Sequence, residues 1–254
     1  MYAIVLAGGY AKRLWPLTLN TPKALLPIAG KPILDYIMEK LEALNPPLSK
    51  IVLSTNLRFQ PQFQEWVNAS KYKNVELVPD DASSEEQKPG AIKAMAKIIL
   101  ASEDDDVLVI AGDGMFNDDL TGLLGTFKQK NTSVAAIYEV KSLEEAKRCA
   151  VITADENGKI VEFTEKPANP KTTLVCGAVY AFQKGVSNRF AVYLALGLPA
   201  DQPGRFVEWL CKQEPVYGYM LKDYLWDIGT HEAYKECNDY FTLANNSTRE
   251  KEVN

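Results

Sequence analysis

Residues 2–14 read Tyr2-Ala3-Ile4-Val5-Leu6-Ala7-Gly8-Gly9-Tyr10-Ala11-Lys12-Arg13-Leu14. The apolar run Tyr2 to Leu6 is ended by paired glycines, which reads as a buried strand feeding a loop. The same alternation continues outward. Ile33 to Leu44 places Ile33, Leu34, Ile37, Leu41 and Leu44 at helical spacing. Ile51 to Leu53 reads as a strand, Pro61 to Val67 as a short helix, Val75 to Val78 as a strand and Ala91 to Leu100 as a helix. Val107 to Ile110 is the next strand, Leu120 to Lys128 a helix and Val134 to Val140 a strand. Strands that alternate with helices predict an α/β fold, its mostly parallel sheet covered on both faces.

The second half changes character. Ala150 to Thr153 and Ile160 to Thr164 flank Asn157-Gly158, a hairpin signal. Leu174 to Phe182 and Val216 to Leu221 read as strands; Val186 to Leu196 and Phe206 to Lys212 read as helices. Glu232 to Ala244 reads as a closing helix, with a polar tail over 245–254 expected to fray. The acidic run Glu103 to Asp106 reads as a solvated turn. There is no internal repeat, and no hexapeptide β-helix pattern follows. The organisation expected is one domain over 1–244.

Composition narrows the chemistry. The 254 residues hold 46% hydrophobic and 24% charged side chains, the balance of a globular protein with a core of its own. A net charge of −5 argues against a nucleic-acid partner. No apolar run reaches the roughly 20 residues that span a bilayer, and no signal-peptide pattern opens the chain. Cys149, Cys176, Cys211 and Cys237 are far apart, which fits reduced thiols in a cytoplasmic protein. A single histidine, His231, excludes histidine triads and multi-histidine metal sites, so any metal must be held by oxygen. Residues 1–34 carry Lys12, Arg13, Lys23 and Lys31 and no acid, in a chain with 28 basic and 33 acidic residues. A local cationic segment in an acidic protein suits a small anion.

Adjacent glycines after a strand let backbone N–H groups approach a phosphate, and Lys12 and Arg13 add charge beside them. The segment matches neither a P-loop nor a G-x-G-x-x-G fingerprint, which argues against the dinucleotide reading and a nicotinamide oxidoreductase. Ala111-Gly112-Asp113-Gly114 delivers a carboxylate at a strand's carboxyl end, placed either to hold a divalent cation or to cap a turn. Trp226-Asp227-Ile228-Gly229-Thr230 precedes the last helix; Thr230 suits an N-cap, and Asp227 either stabilises that turn or binds a ligand. Glu165-Lys166, taken alone, reads as a solvated surface pair.

The longer run Leu14-Trp15-Pro16-Leu17-Thr18-Leu19-Asn20-Thr21-Pro22-Lys23-Ala24-Leu25-Leu26-Pro27, followed by Lys31-Pro32, resembles the signature of the sugar-phosphate nucleotidyltransferases, the nucleoside-diphosphate-sugar pyrophosphorylases. With Leu6-Ala7-Gly8-Gly9 it is similar to that family's L-A-G-G-x-G-T-R-L-x-P-L-T and P-K-x-L-L-P pattern. Further likenesses recur to residue 230, closest to the short glucose-1-phosphate thymidylyltransferase type, without an appended β-helix or acetyltransferase domain. The resemblance implies a Rossmann-like three-layer sandwich, with residues 1–140 as the nucleotide-binding half and 141–244 as the β-rich sugar-phosphate-binding half.

It also implies roles. Leu6, Ala7, Gly8, Gly9, Lys12 and Arg13 would bind the nucleotide, with Gly90 packing on its base from the Gln87-Lys88-Pro89-Gly90 loop. Asp113 and Asp227 would hold Mg²⁺. Arg13 and Lys23 would be catalytic, Arg13 on the β- and γ-phosphates and Lys23 on the α-phosphate. Glu165, Lys166 and Gly177 would bind the sugar phosphate. Ala11 stands where that pattern has glycine, Lys12 where it has threonine, and Ala150 where a further glycine is usual. The activity implied is transfer of a nucleotidyl group from an NTP to a sugar 1-phosphate in a homo-oligomer, dimer or tetramer. Transfer to a phosphorylated alcohol and a non-catalytic regulatory homologue are the alternatives.

Overall fold

The computed structural model describes residues 1–82, 84, 86 and 89–252, the last eight by backbone alone. Nine strands form the main sheet. They are β1 (Tyr2–Leu6), β2 (Ile51–Asn56), β3 (Val75–Asp80), β4 (Val107–Ala111), β5 (Val134–Glu139), β6 (Ala150–Ala154), β7 (Ile160–Glu165), β8 (Leu174–Phe182) and β9 (Tyr217–Met220). The helices are α1 (Ile33–Glu42), α2 (Gln60–Ala69), α3 (Ala91–Ala101), α4 (Thr121–Lys130), α5 (Leu143–Ala146), α6 (Val186–Ala195), α7 (Pro203–Leu210) and α8 (His231–Glu252).

The spatial order is β7-β6-β8-β4-β1-β2-β3, with β5 pairing β8 on its other edge and β9 beyond β5. Strands β3, β2, β1 and β4 run parallel. β8 opposes β4, and β5 and β6 oppose β8, while β9 follows β5. Only β8 and the hairpin strand β7 therefore run against the rest. Alternation decides what each face buries. In β1, Ala3 and Val5 meet Leu34, Ile37, Phe63 and Leu123 from α1, α2 and α4. Tyr2 and Ile4 meet Ile92, Met95, Phe190 and Phe206 from α3, α6 and α7. This is the expected three-layer sandwich. A third, smaller cluster ties Ile228 and α8's Cys237 and Phe241 to Leu14, Ile28, Ile33 and Met115.

β8 positions the site by splitting the sheet. Its first part, Val175–Cys176, pairs β6, and its last part, Val179–Phe182, pairs β4. Gly177 and Ala178 pair with neither, and the register against β5 also shifts between Cys176 and Tyr180. A gap opens there between β6 and β4.

Two sequence readings change. α8 runs on to Glu252, past the Ala244 end expected for it, and residues 253–254 lie outside the described residues. The acidic run is not simply solvated: Asp106 and Asp104 accept the backbone N–H groups of Lys184 and Gly185 and so fasten the chain end of β8. The expected hairpin about Asn157-Gly158 forms, its turn tied by the Asp155 carboxylate, which accepts from the Asn157 and Lys159 amides. All four cysteines are free thiols, Cys176 and Cys237 buried. No helix among the described residues is long and apolar enough to cross a membrane.

Candidate active site

The loop after β1 is held from below. Ala7 N–H donates to Ser54 O at 2.7 Å, and Asn56 Nδ2 donates to Gly8 O at 2.9 Å. Gly112, after β4, donates its amide to Leu6 O at 2.7 Å, so the ends of β1 and β4 are locked side by side. Ala11 takes the left-handed conformation, φ 46°, and Thr18 Oγ1 donates to its carbonyl at 2.8 Å. An alanine there costs about 1–2 kcal/mol, and glycine's extra unfolded-chain freedom returns part of that difference. Ala11→Gly is expected to raise the melting temperature by roughly 1–3 °C, measured by calorimetry. A fall in melting temperature would mean the loop is not strained.

Asp113 and Asp227, 114 positions apart, are joined by a two-residue antiparallel pairing of Gly114–Met115 with Trp226–Asp227. Thr230 caps the helix that follows, accepting the Ala233 amide at 3.2 Å. Lys23 reaches both carboxylates, with Nζ 2.8 Å from Asp113 Oδ2 and 3.7 Å from Asp227 Oδ1. Its side chain is only 9% exposed, against 43% and 60% for the two acids. Two carboxylates thus converge on one cation at the floor of a hollow of about 250 Å³, which Arg13, Gly9, Ala7 and Gly229 also line. No cluster of three metal-ligating side chains occurs among the described residues. A pair of carboxylate oxygens with room for water and phosphate is a donor set that suits Mg²⁺, which usually takes one or two carboxylates and fills its octahedron from the substrate.

The hollow adjoins a cleft of about 350 Å³, within the range of small-molecule sites. Leu6, Gly8, Gly9, Gly90, Asp113, Glu165, Lys166, Gly177 and Asp227 all line it, so the fold gathers most of the expected residues into one place. Glu165 ends β7. Lys166 follows in the left-handed region, φ 50°, its amide donating to Cys149 O at 3.1 Å, and this turn aims the pair into the cleft. Burial pushes the Glu165 carboxyl up from its ordinary value, against the opposing pull of Lys166 and Arg205. Gly90 (φ 92°) lies so close to the Ala200 carbonyl that no side chain fits.

Lys12 is the exception. It is exposed, lines neither hollow, and its ammonium sits 3.2 Å from Glu86. Gln87 and Lys88 lie outside the described residues. Two contributors escaped sequence reasoning. Gln202, just before α7, donates to Glu165 Oε1 at 2.8 Å and accepts from Lys166 Nζ at 2.9 Å in the amide orientation that satisfies both. No spacing marks it. Asp80, at the end of β3, lines the cleft beside Gly8. Its place at the carboxyl end of a parallel strand was the available signal.

Residues 2–243 match the family described as Nucleotidyl transferase. The chain is 32% identical over 243 residues to the bifunctional protein GlmU of Methanocaldococcus jannaschii, covering 94% of this chain and 54% of that protein. It is 30% identical to the mannose-1-phosphate guanylyltransferase catalytic subunit beta of Drosophila melanogaster, over 89% of this chain and 59% of the other. It therefore spans between half and two-thirds of the length of these relatives. In fold it superposes on UDP-glucose pyrophosphorylase, solved with UDP-glucose, with a TM-score of 0.78 at 20% identity, covering 96% of this chain and 98% of that one.

Proposed function

From the premise that the chain belongs to the nucleotidyl transferase family, we propose that it transfers a nucleotidyl group from an NTP to a sugar 1-phosphate, releasing pyrophosphate. The observation that carries this reading is that Asp113 and Asp227, both reached by Lys23 in the adjoining hollow, line the same cleft as the Glu165–Lys166 pair.

The sugar phosphate attacks the α-phosphorus in line and pyrophosphate leaves. A phosphate monoester has a second pKa near 6, so the attacking oxygen is already ionised at neutral pH and no general base is required. The chain's work is then alignment and charge neutralisation. Gly8 and Gly9 let the backbone approach the phosphates. Arg13 grips the β- and γ-phosphates, where a guanidinium can bind two oxygens at once. Lys23 offsets charge on the α-phosphate and the nucleophile. Glu165 accepts hydrogen bonds from sugar hydroxyls, Lys166 contacts the sugar phosphate, and Gly177 lets the ring approach the backbone in the split of the sheet. Asp113 and Asp227 would hold Mg²⁺, which supplies positive charge to orient the α-phosphate when bound.

The test is pyrophosphate release in Mg²⁺ across ATP, CTP, GTP, UTP and dTTP with a panel of sugar 1-phosphates. Release that depends on one sugar phosphate is the expected result. Release with a phosphorylated alcohol instead would reassign the acceptor, and silence with no NTP binding would overturn the reading. Glu165→Gln is expected to raise the sugar-phosphate KM roughly 10- to 100-fold, the worth of a charged hydrogen bond, with the NTP KM unchanged. Equal effects on both constants would remove Glu165 from the sugar side.

A further inference from the structure

The cleft has a corner that neither the phosphate-handling nor the sugar-handling residues occupy. Ser54, Asp80, Gly90, Ala91 and Ala94 bound it, with Gly8 as its border to the glycine loop. These are small side chains with no lysine or arginine among them, so the corner suits a flat uncharged ring rather than a phosphate. Building on the nucleotidyl-transfer reading, we propose that Asp80 reads the base of the nucleotide and that the base it selects is guanine.

Asp80 is 8% exposed. Its Oδ1 accepts the Ala82 amide at 2.9 Å, which fixes the carboxylate plane. Its Oδ2 lies 3.6 Å from where a Cβ on Gly8 would stand, at the cleft floor. The nearby cation, Lys97, is engaged by the Pro79 carbonyl at 3.1 Å and Asp81 at 3.7 Å. Among the described residues Oδ2 accepts no hydrogen bond and Oδ1 only the Ala82 amide, so each oxygen keeps a lone pair and the carboxylate can still take two adjacent donors.

An ionised carboxylate can only accept. Uracil and thymine present one N–H between two carbonyl oxygens, which a carboxylate repels. Cytosine and adenine present an amino group beside a bare ring nitrogen. Guanine alone offers two adjacent N–H donors, N1–H and the 2-amino group, directed the same way. Burial also pushes the Asp80 carboxyl above its ordinary value, and two N–H donors would return hydrogen bonding that this burial removes.

The experiment compares kcat/KM for GTP, ITP, ATP, CTP, UTP and dTTP in the full chain, alongside calorimetric binding of each nucleotide. GTP is expected to exceed UTP and dTTP by about 100-fold or more, since a site built to pair a polar edge rejects one that mismatches it. ITP, which lacks the 2-amino group, should fall about 10-fold below GTP. Asp80→Asn keeps the acceptor for Ala82 and should erase most of the GTP preference while leaving the sugar-phosphate KM alone. A wild-type preference for any other base, or an Asp80→Asn variant with the preference intact, overturns the proposal. Selective GTP binding without turnover would support Asp80 and sink the transfer reading instead; absence of nucleotide binding would sink both.

Discussion

Asp227→Asn is expected to lower kcat roughly a thousandfold, at the upper end of what removal of one preorganised charge costs, while the folded protein melts close to wild type. The side chain is 60% exposed, and its ladder with Gly114 is made by backbone, so the substitution removes charge without opening the core. Asp113→Asn should do the same. The more telling measurement is the double variant. If the two carboxylates serve one cation, the second loss adds little to the first, because groups that act as a unit are strongly non-additive. Multiplying effects in the double variant would mean two independent roles. Wild-type rates in either single variant would remove that residue from the site.

Lys23→Gln is expected to slow turnover about 100-fold and yet to tighten the response to Mg²⁺. In the protein alone Lys23 neutralises Asp113 and Asp227 from 2.8 and 3.7 Å. It therefore competes with a divalent cation for the same oxygens. Without it the two acids repel, and the metal gains what the ammonium no longer supplies. Thermal melts with and without Mg²⁺ measure this directly, since a ligand that binds only the folded state raises Tm. The Mg²⁺-induced shift should be larger in the variant, by about 2 °C if the gain is near 1 kcal/mol. A smaller shift than in wild type would show that Lys23 and the metal do not share the carboxylates.

The strand ends were legible because apolar runs stop where backbone leaves the core. β1 before Gly8 and β4 before Gly112 declare themselves this way, and both deliver residues to the cleft. Asp80 was not legible by that route: β3 continues two residues beyond the Val75–Val78 stretch that reads as a strand, and Pro79-Asp80 resembles a turn. The split at Gly177 was hidden as well, since Leu174 to Phe182 reads as one unbroken strand and only its neighbours change along its length. Gln202 carries no local signal, because its partners Glu165 and Lys166 stand at the end of β7, far from it in sequence. Lys12 and Arg13 are neighbours in sequence, yet the turn of Lys12–Leu14 sends the two side chains apart, one toward Glu86 and one toward Gly229.

The ladder of Gly114–Met115 with Trp226–Asp227 governs when, during synthesis, the two carboxylates can meet. Closing a chain segment of that length costs roughly 4 kcal/mol in loop entropy, more than a two-residue ladder can offset. Burial of Ile228 and Phe241 against the N-terminal segment, at about 1.5–3 kcal/mol for each side chain, must help to hold it. A nascent chain that has emerged from the ribosome only as far as residue 225 already owns its glycine loop, Asp80 and Glu165. It still lacks the second carboxylate. The chain can begin to fold with those groups in place while the carboxylate pair, and with it the site proposed for the cation, is still incomplete.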